Sequence, residues 1–376
     1  MAGIYIHVPF CTKRCLYCDF FSNTDMQYKT MYMEALLREM ELRKHYLEGE
    51  AIETIYLGGG TPSQLAVSDF ERIFEQINLL FDLSRCREIT LEANPDDLSI
   101  DYLASLAVLP FNRISIGVQS FDPEDLKFLN RRHTAEQAVA AVDRCRQAGF
   151  TNLSLDLIYG LPGSTLTKWE ENLDQFLALD IPHLSAYHLI YEEGTPLYRL
   201  LESGEINPLD EEDSVAFFSS LMEKLSAAGY AHYEISNFAR PGYISQHNSS
   251  YWMGKKYVGL GPSAHSYNGI SRQWNISSMP SYIAGVQKGI LAVETENLDL
   301  YTRYNDYVIT RLRTMWGISY DEILQLFGEE LMTYCQKQMT PFLQQGTVIE
   351  KENGVRLTKK GIFISDHIMS DLLFVE

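Results

Sequence analysis

Three cysteines lie close together near the start of the chain, where Cys11, Cys15 and Cys18 form the pattern C-x3-C-x2-C. Three thiolates on one short loop can hold three irons of a [4Fe–4S] cluster. The fourth iron then has no protein ligand, and an open coordination position is what a substrate or cofactor needs in order to bind a metal. The spacing therefore predicts a cluster with one iron open to a small molecule.

Two other interpretations of the cysteine pattern are a zinc site and three unrelated buried thiols. A zinc site would need a fourth ligand, such as His7 or a distant residue, and the sequence contains no second C-x2-C pair and no H-x3-H pair. The spacing favours the cluster. The remaining cysteines, Cys86, Cys145 and Cys335, lie apart in the sequence and are interpreted as ordinary buried or half-buried thiols.

The cysteine loop must be delivered by a strand. Residues 3–8 are apolar and rich in β-formers, and Pro9 ends the run, so we predict a buried strand with the loop at its carboxyl end. Strand and helix patterns then alternate over the first 237 residues. The further predicted strands cover residues 51–57, 88–92, 113–117, 152–158, 183–189 and 231–235. The predicted helices cover residues 26–46, 67–81, 98–106, 123–129, 135–148, 166–179 and 211–228.

Six or seven such strand–helix units predict an α/β fold with a parallel sheet. No GxGxxG pattern follows the first strand, so an incomplete or closed (β/α) barrel fits better than a dinucleotide-binding fold. In such a barrel the chemistry lies on the loops after the strands. All the motifs described here, except the one at residues 247–252, fall at such positions.

The alternation fades after residue 237. We predict a barrel at residues 1–237, an aromatic and glycine-rich extension at 238–297, and a small winged-helix-like domain at 298–376. The last part has helical patterns at 301–315, 320–327 and 331–344, a hairpin of strands 347–350 and 355–357 marked by Asn-Gly, and a final helix at 359–372. Residues 296–376 hold 8 Lys and Arg against 12 Asp and Glu, so we interpret this domain as a cap or interaction module and not as a DNA-binding one.

Composition narrows the functional class. Hydrophobic residues make up 45% of the 376 residues, which excludes global disorder. The net charge of −19 disfavours non-specific nucleic-acid binding. No apolar run approaches the ~18 residues that span a bilayer, and no secretory signal is visible, so a cytoplasmic, reducing compartment is expected.

The cysteine spacing on a loop after the first strand of a (β/α) barrel resembles the radical S-adenosylmethionine (SAM) superfamily, and Tyr17 before the third cysteine fits that pattern. In that superfamily the amine and carboxylate of SAM chelate the open iron, and one electron from the cluster cleaves SAM. The resemblance makes the Gly58–Pro62 segment, GGGTP, the part that binds the SAM amine. The alternative is that this segment is only a tight turn after the second strand.

Several polar residues at the barrel mouth support this resemblance. Glu92, Gln119 and Asp156 lie at or in predicted strands, and an unpaired carboxylate in the apolar strand of Asp156 would be costly without a partner or ligand. Arg131 could pair with a carboxylate or be a solvated charge at a helix end.

The stretches YIHVPFC, CDF, GGGTP, EANP, GVQSF, LNRRH, DLIYGLP and HNSSYW together resemble oxygen-independent coproporphyrinogen oxidases and their relatives, the HemW-type haem chaperones. By that resemblance Phe20 lies beside the cluster. The residues implied to contact SAM are Tyr5, Gly59, Gly60, Thr61, Glu92, Gln119, Arg131 and Asp156.

Two departures separate the chain from the oxidase. Phe20 stands where the oxidase has a further cysteine, and only ten residues precede Cys11 where the oxidase has a long extension. The HemW-type proteins carry the motif HNxxYW, which is matched here at residues 247–252. His247 is the leading candidate for a haem ligand. A structural alternative is a polar turn with packed aromatics, and His188 and His265 are other candidate ligands.

The function predicted on this basis is a cytoplasmic radical SAM haem chaperone that holds a [4Fe–4S] cluster and SAM and passes haem to haem-requiring respiratory proteins. The alternative is an oxygen-independent coproporphyrinogen III oxidase, so whether the chain is an enzyme is left open. The expected partners are haem, haem-acceptor proteins and an electron donor for the cluster, with a homodimer also considered.

Overall fold

A computed structural model describes residues 2–375. The strands are β1 (Ala2–Val8), β2 (Ile52–Gly59), β3 (Glu88–Ala93), β4 (Arg113–Gln119), β5 (Leu153–Tyr159), β6 (His183–His188), β7 (Ala231–Glu234), β8 (Asn237–Ala239), β9 (Tyr257–Leu260), β10 (His265–Tyr267), β11 (Ser271–Asn275), β12 (Val293–Asn297), β13 (Ile318–Ser319), β14 (Val348–Lys351) and β15 (Gly354–Leu357). The helices are α1 (Lys29–Arg43), α2 (Val67–Leu80), α3 (Ile100–Leu106), α4 (Pro123–Phe128), α5 (Ala135–Gln147), α6 (Leu166–Ala178), α7 (Pro196–Glu202), α8 (Glu211–Ala227), α9 (Gln246–Trp252), α10 (Met279–Gln287), α11 (Leu300–Leu312), α12 (Tyr320–Phe327), α13 (Glu329–Gln344), α14 (Lys359–Ile362) and α15 (Ser365–Leu372).

The core of the fold is a run of six parallel strands, β1 to β6, in chain order within a 12-stranded sheet. These strands are buried on both faces over most of their length, as expected for parallel strands covered by helices. The sheet continues through β9–β12 beyond β1 and through β8 and β7 beyond β6, and it does not close. The predicted α/β fold with an incomplete (β/α) barrel is therefore confirmed.

The seventh predicted barrel strand is different. β7 pairs antiparallel with β8, which pairs antiparallel with β6. Only two residues separate β7 from β8, whereas a parallel pair needs a crossover of about a dozen residues or more. Conversely, β9 extends the parallel part of the sheet, because it pairs parallel with β1 on its other side.

The C-terminal part contains α11 to α15 and a separate three-stranded antiparallel sheet in the order β13-β15-β14. It has its own apolar cluster, in which Tyr304, Ile323 and Met339 are fully buried. This arrangement of helices and a small β wing is as predicted. The predicted final helix is interrupted, however, because it forms α14 and α15 with two residues between them. No helix within residues 2–375 is long and apolar enough to cross a membrane.

A buried polar cluster fastens the segment that follows the barrel to α1. The Arg43 Nε donates to Glu39 Oε1 at 2.9 Å, and its Nη2 donates to Asn275 Oδ1 at 2.7 Å. Glu39 Oε2 accepts from the Tyr282 hydroxyl at 2.7 Å and from the Gly261 backbone at 2.8 Å. Glu39 and Arg43 are almost completely buried, so each charge depends on the other and on these hydrogen bonds.

We expect Glu39→Ala to lower the free energy of unfolding by about 3–5 kcal/mol, because it leaves the Arg43 charge buried without its partner. The matched control is Glu41→Ala, which breaks the exposed pair with Arg38 on the same helix and should cost less than about 1 kcal/mol. Urea unfolding followed by circular dichroism measures both. Equal losses in the two variants would contradict the role given to the buried cluster.

Candidate functional site

The cysteine loop follows β1 and is fastened at both ends and in the middle. The Cys11 N–H donates to the Asn23 carbonyl at 3.1 Å, which ties the start of the loop to its end. The Leu16 N–H donates to the Leu129 carbonyl just after α4 at 3.2 Å, and the Asn130 side chain donates to the Arg14 carbonyl at 2.9 Å. The loop is therefore held over the carboxyl edge of the sheet.

A cavity of about 510 Å³ opens beside this loop, and most of the predicted site residues line it. They come from strands β1 to β5 or from the segments that follow these strands, as the barrel interpretation requires. The predicted residues that line the cavity are Cys11, Cys15, Cys18, Phe20, Gly59, Gly60, Thr61, Glu92, Gln119, Arg131 and Asp156. We call this space the cysteine cavity.

The glycines after β2 allow the cysteine loop to approach the strand. A Cβ atom at Gly60 would lie 3.0 Å from the Cys11 Sγ and 2.9 Å from the Val8 carbonyl. Gly59 has a φ of 108°, and a Cβ there would lie 2.6 Å from the His7 ring. Next to them, the Thr61 hydroxyl donates to the Cys11 Sγ at 3.4 Å. The turn after β2 therefore leaves room for the Cys11 thiol, which lies against it.

Arg131 brings a positive charge to the cysteines. Its Nη1 donates to the Cys15 Sγ at 3.2 Å, and its Nη2 donates to the Asn94 Oδ1 at 2.6 Å and the Gly117 carbonyl at 2.5 Å. Its Nε is buried and has no hydrogen-bond partner among the described residues. A buried donor without a partner is costly, so this atom is available to a bound group.

Two carboxylates, Glu92 and Asp156, also line the cysteine cavity. Glu92 accepts from the Tyr56 hydroxyl at 2.6 Å and from the Gly59 N–H at 3.2 Å, and Asp156 accepts from the Ser115 hydroxyl at 3.4 Å. Burial raises the pKa of Glu92 to about 7 and that of Asp156 to about 6. A cationic group bound between them would favour their charged forms.

A β-bulge sets the position of Gln119. The register of β4 against β5 shifts between Ile116 and Gln119, and Gln119 has a φ of 70°, which is uncommon for a residue with a side chain. Bulges often redirect a side chain next to a functional site. Here Gln119 is 9% exposed and lines the cavity.

The thiols fit a cluster better than a single metal ion. No three His, Cys, Asp or Glu side chains within residues 2–375 converge on one ion position. Each thiolate of a [4Fe–4S] cluster binds a different iron, so its ligands are spaced more widely than those of zinc. His7, the nearby candidate for a fourth zinc ligand, already has both ring nitrogens within hydrogen-bond distance of the Tyr5 hydroxyl and the Phe21 carbonyl.

Two predicted residues lie elsewhere. Tyr5 is not among the residues that line the cysteine cavity; it forms a hydrogen bond of 3.2 Å with His7 and lines a second cavity. His247 is on α9 and is 1% exposed. Its Nδ1 is 2.8 Å from the Thr54 hydroxyl and its Nε2 is 2.7 Å from the Tyr251 hydroxyl. Both ring nitrogens of His247 therefore have hydrogen-bond partners in this structure, and its role as a haem ligand stays a prediction. The motif residues 247–252 form a helix and not a turn.

Asn94 is a site residue that the sequence interpretation missed. Besides accepting from Arg131, its amide donates to the Thr61 hydroxyl at 3.4 Å, so it links the arginine to the turn after β2. The available signal was its place in the EANP stretch, two residues after Glu92.

Comparison with known proteins agrees with this geometry. The profile of the radical SAM superfamily matches residues 5–176, and that of the HemN C-terminal domain matches residues 298–364. The heme chaperone HemW of Bacillus subtilis (strain 168) is 33% identical over 376 residues, which cover 99% of each chain. That of Lactococcus lactis is 33% identical over 98% of this chain and 96% of its own.

The chain belongs to the HemW family of radical SAM proteins. Membership in this superfamily implies a [4Fe–4S] cluster and SAM. Among solved structures, Escherichia coli coproporphyrinogen III oxidase, HemN, superimposes with a TM-score of 0.85 at 24% identity and covers 99% of this chain and 90% of its own. This chain and HemN thus share one fold.

We expect Glu92→Gln to change the pH dependence of stability. Because the folded-state pKa of Glu92 is raised to about 7, its ionisation destabilises the folded chain as the pH rises from about 4.5 to 7. An amide resembles the protonated acid and avoids this loss. The variant should exceed the wild type in stability only slightly at pH 5, and at pH 8 this difference should be larger by on the order of 1 kcal/mol or more.

Thermal unfolding of cluster-free, SAM-free protein measures the difference. The control is Glu75→Gln on the exposed face of α2, which should show no such change between pH 5 and pH 8. A constant difference between wild type and Glu92→Gln at both pH values would contradict the expectation.

Proposed function

We propose that this protein is a haem chaperone that holds a [4Fe–4S] cluster and SAM and transfers haem to haem-requiring proteins. The proposal is supported by family membership, since the relatives with the same overall length are named heme chaperones. It is carried by one observation at the site: Phe20, and not a cysteine, lies two residues after Cys18 and lines the cysteine cavity.

Different residues of the cysteine cavity would hold the cluster and SAM. Cys11, Cys15 and Cys18 would hold the cluster, with Arg131 donating to a sulfur. When bound, the cluster supplies an electron to SAM. The turn of Gly59, Gly60 and Thr61 leaves room for backbone contact with the SAM amine.

The other polar residues of the cysteine cavity would orient SAM. Glu92 and Asp156 offer carboxylates to its cationic groups, and Gln119 offers an amide. The buried Nε of Arg131 offers a donor to an anionic group. None of these roles requires a proton transfer, and all of them favour a charged ligand in a partly desolvated cavity.

The proposal includes the surroundings of this site. Residues 1–237 would form the cluster and SAM domain, 238–297 an extension of it, and 298–376 a cap. Respiratory haem proteins are proposed as recipients, and an electron donor would reduce the cluster. All six cysteines are free thiols in the structure, which suits a reducing compartment such as the cytoplasm.

The test is one preparation with two assays. The cluster is reconstituted without oxygen, and the preparation is divided. In one part, haem binding is followed by the Soret band. The other part is incubated with coproporphyrinogen III, SAM and a reductant. We expect haem binding and no porphyrinogen conversion. The control is Cys15→Ser, which should lose iron. Decarboxylation of coproporphyrinogen by the wild type, absent from Cys15→Ser, would overturn the proposal in favour of an oxidase.

A further inference from the structure

A second cavity, of about 790 Å³, lies between the barrel and the C-terminal domain. Its walls come from β1, the end of the cysteine loop, α9, β9 to β11, and α11 with the end of α12. We call it the aromatic cavity, because nine of its 22 lining residues are Phe, Tyr or Trp, whereas such residues make up 12% of the chain. A space of this size suits a large, flat, apolar ligand.

Cationic side chains line the same space. Arg272, Arg303 and Arg311 line it together with only two carboxylates, Asp19 and Asp306, although the whole chain has a net charge of −19. A concentration of guanidinium groups in an acidic protein indicates an anionic ligand.

The three arginines differ in whether they already have an ion-pair partner. Arg272 pairs with Glu296 and Asp306, and Arg311 pairs with Glu322. Arg303 makes no ion pair within residues 2–375, and its guanidinium lies 5.9 Å from the centre of the Phe327 ring. Arg303 is therefore the charge that a ligand carboxylate can use without displacing a partner.

One histidine of the cavity wall is free to bind a metal. His265, on β10, is exposed and stacks on Trp274 with ring centres 6.0 Å apart. No side chain or carbonyl of the described residues forms a hydrogen bond with its ring, unlike the rings of His7 and His247. A neutral imidazole with free nitrogens is a good axial ligand for a haem iron.

The two cavities are adjacent. Asp19 and Phe20 line both of them, and Phe20 is 61% exposed although it is a large apolar side chain. An aromatic ring at this boundary can contact a flat ligand on one side while it remains beside the cysteine loop on the other.

We infer that the aromatic cavity binds an iron porphyrin, with His265 as the axial ligand and Arg303 contacting a propionate carboxylate. The inference rests on the proposed function and assigns it a site next to the cysteine cavity. It combines the aromatic walls, the unpaired guanidinium and the free imidazole, which match the ring, the carboxylates and the iron of haem.

The test compares haem with metal-free protoporphyrin IX, which has the same ring and carboxylates but no iron. His265→Ala should weaken haem binding at least tenfold and shift the Soret band, and it should leave the affinity for protoporphyrin IX unchanged. Arg303→Ala should weaken both ligands about threefold to tenfold. The matched control His45→Ala removes an exposed histidine that lines neither cavity and should change neither affinity.

The possible results distinguish a failure of the site assignment from a failure of the proposed function. If the wild type binds no haem, the proposed function fails. If the wild type binds haem and neither His265→Ala nor Arg303→Ala weakens it, the site assignment fails while the function stands. Equal weakening of both ligands by His265→Ala would also overturn the axial role, because a change of shape alone affects both porphyrins. Circular dichroism of each variant checks that it is folded.

Discussion

The close approach of the cysteine loop to the turn after β2 is the constraint on which the site depends. At Gly60 a single added carbon would lie 3.0 Å from the Cys11 sulfur and 2.9 Å from a backbone carbonyl of the preceding strand. Such a contact cannot be relieved by moving a flexible side chain, since one of the neighbours is backbone. The parallel pairing of β1 with β2 fixes the distance between the two loops, and the glycine turn makes that distance tolerable.

The charged groups of the site fit the ligands that it is expected to bind. A loop of three thiols next to a half-buried arginine is arranged for negative sulfur, and the two carboxylates that line the same cavity are arranged for a positive ligand. Burial raises the pKa of Cys18 to about 11, so binding of a metal must displace the thiol protons. The site is thus organised for a charged cofactor and costs stability in its absence, as functional sites often do.

Much of this was predictable from sequence. The buried parallel strands have apolar runs ended by Gly, Pro or polar residues, and the cysteines and the glycine turn follow two of them, so their convergence at one edge follows from the fold. Other features depend on contacts between distant segments. The two-residue connection that makes β7 antiparallel was not recognised, and His247 carries a suggestive motif while Thr54 and Tyr251 take both its nitrogens.

The aromatic cavity could not be predicted in this way, because its walls come from segments more than 300 residues apart. Tyr5 illustrates the difficulty, since it lies on the strand that leads into the cysteine loop and yet lines the aromatic cavity.

The central claim is that three cysteines hold a cluster whose remaining iron is open to SAM. Electron paramagnetic resonance of the reconstituted, reduced protein tests it most directly. The account predicts four irons per chain, a [4Fe–4S]⁺ signal that changes when SAM is added, and loss of that signal in Cys11→Ser. A cluster signal that is identical with and without SAM would contradict it.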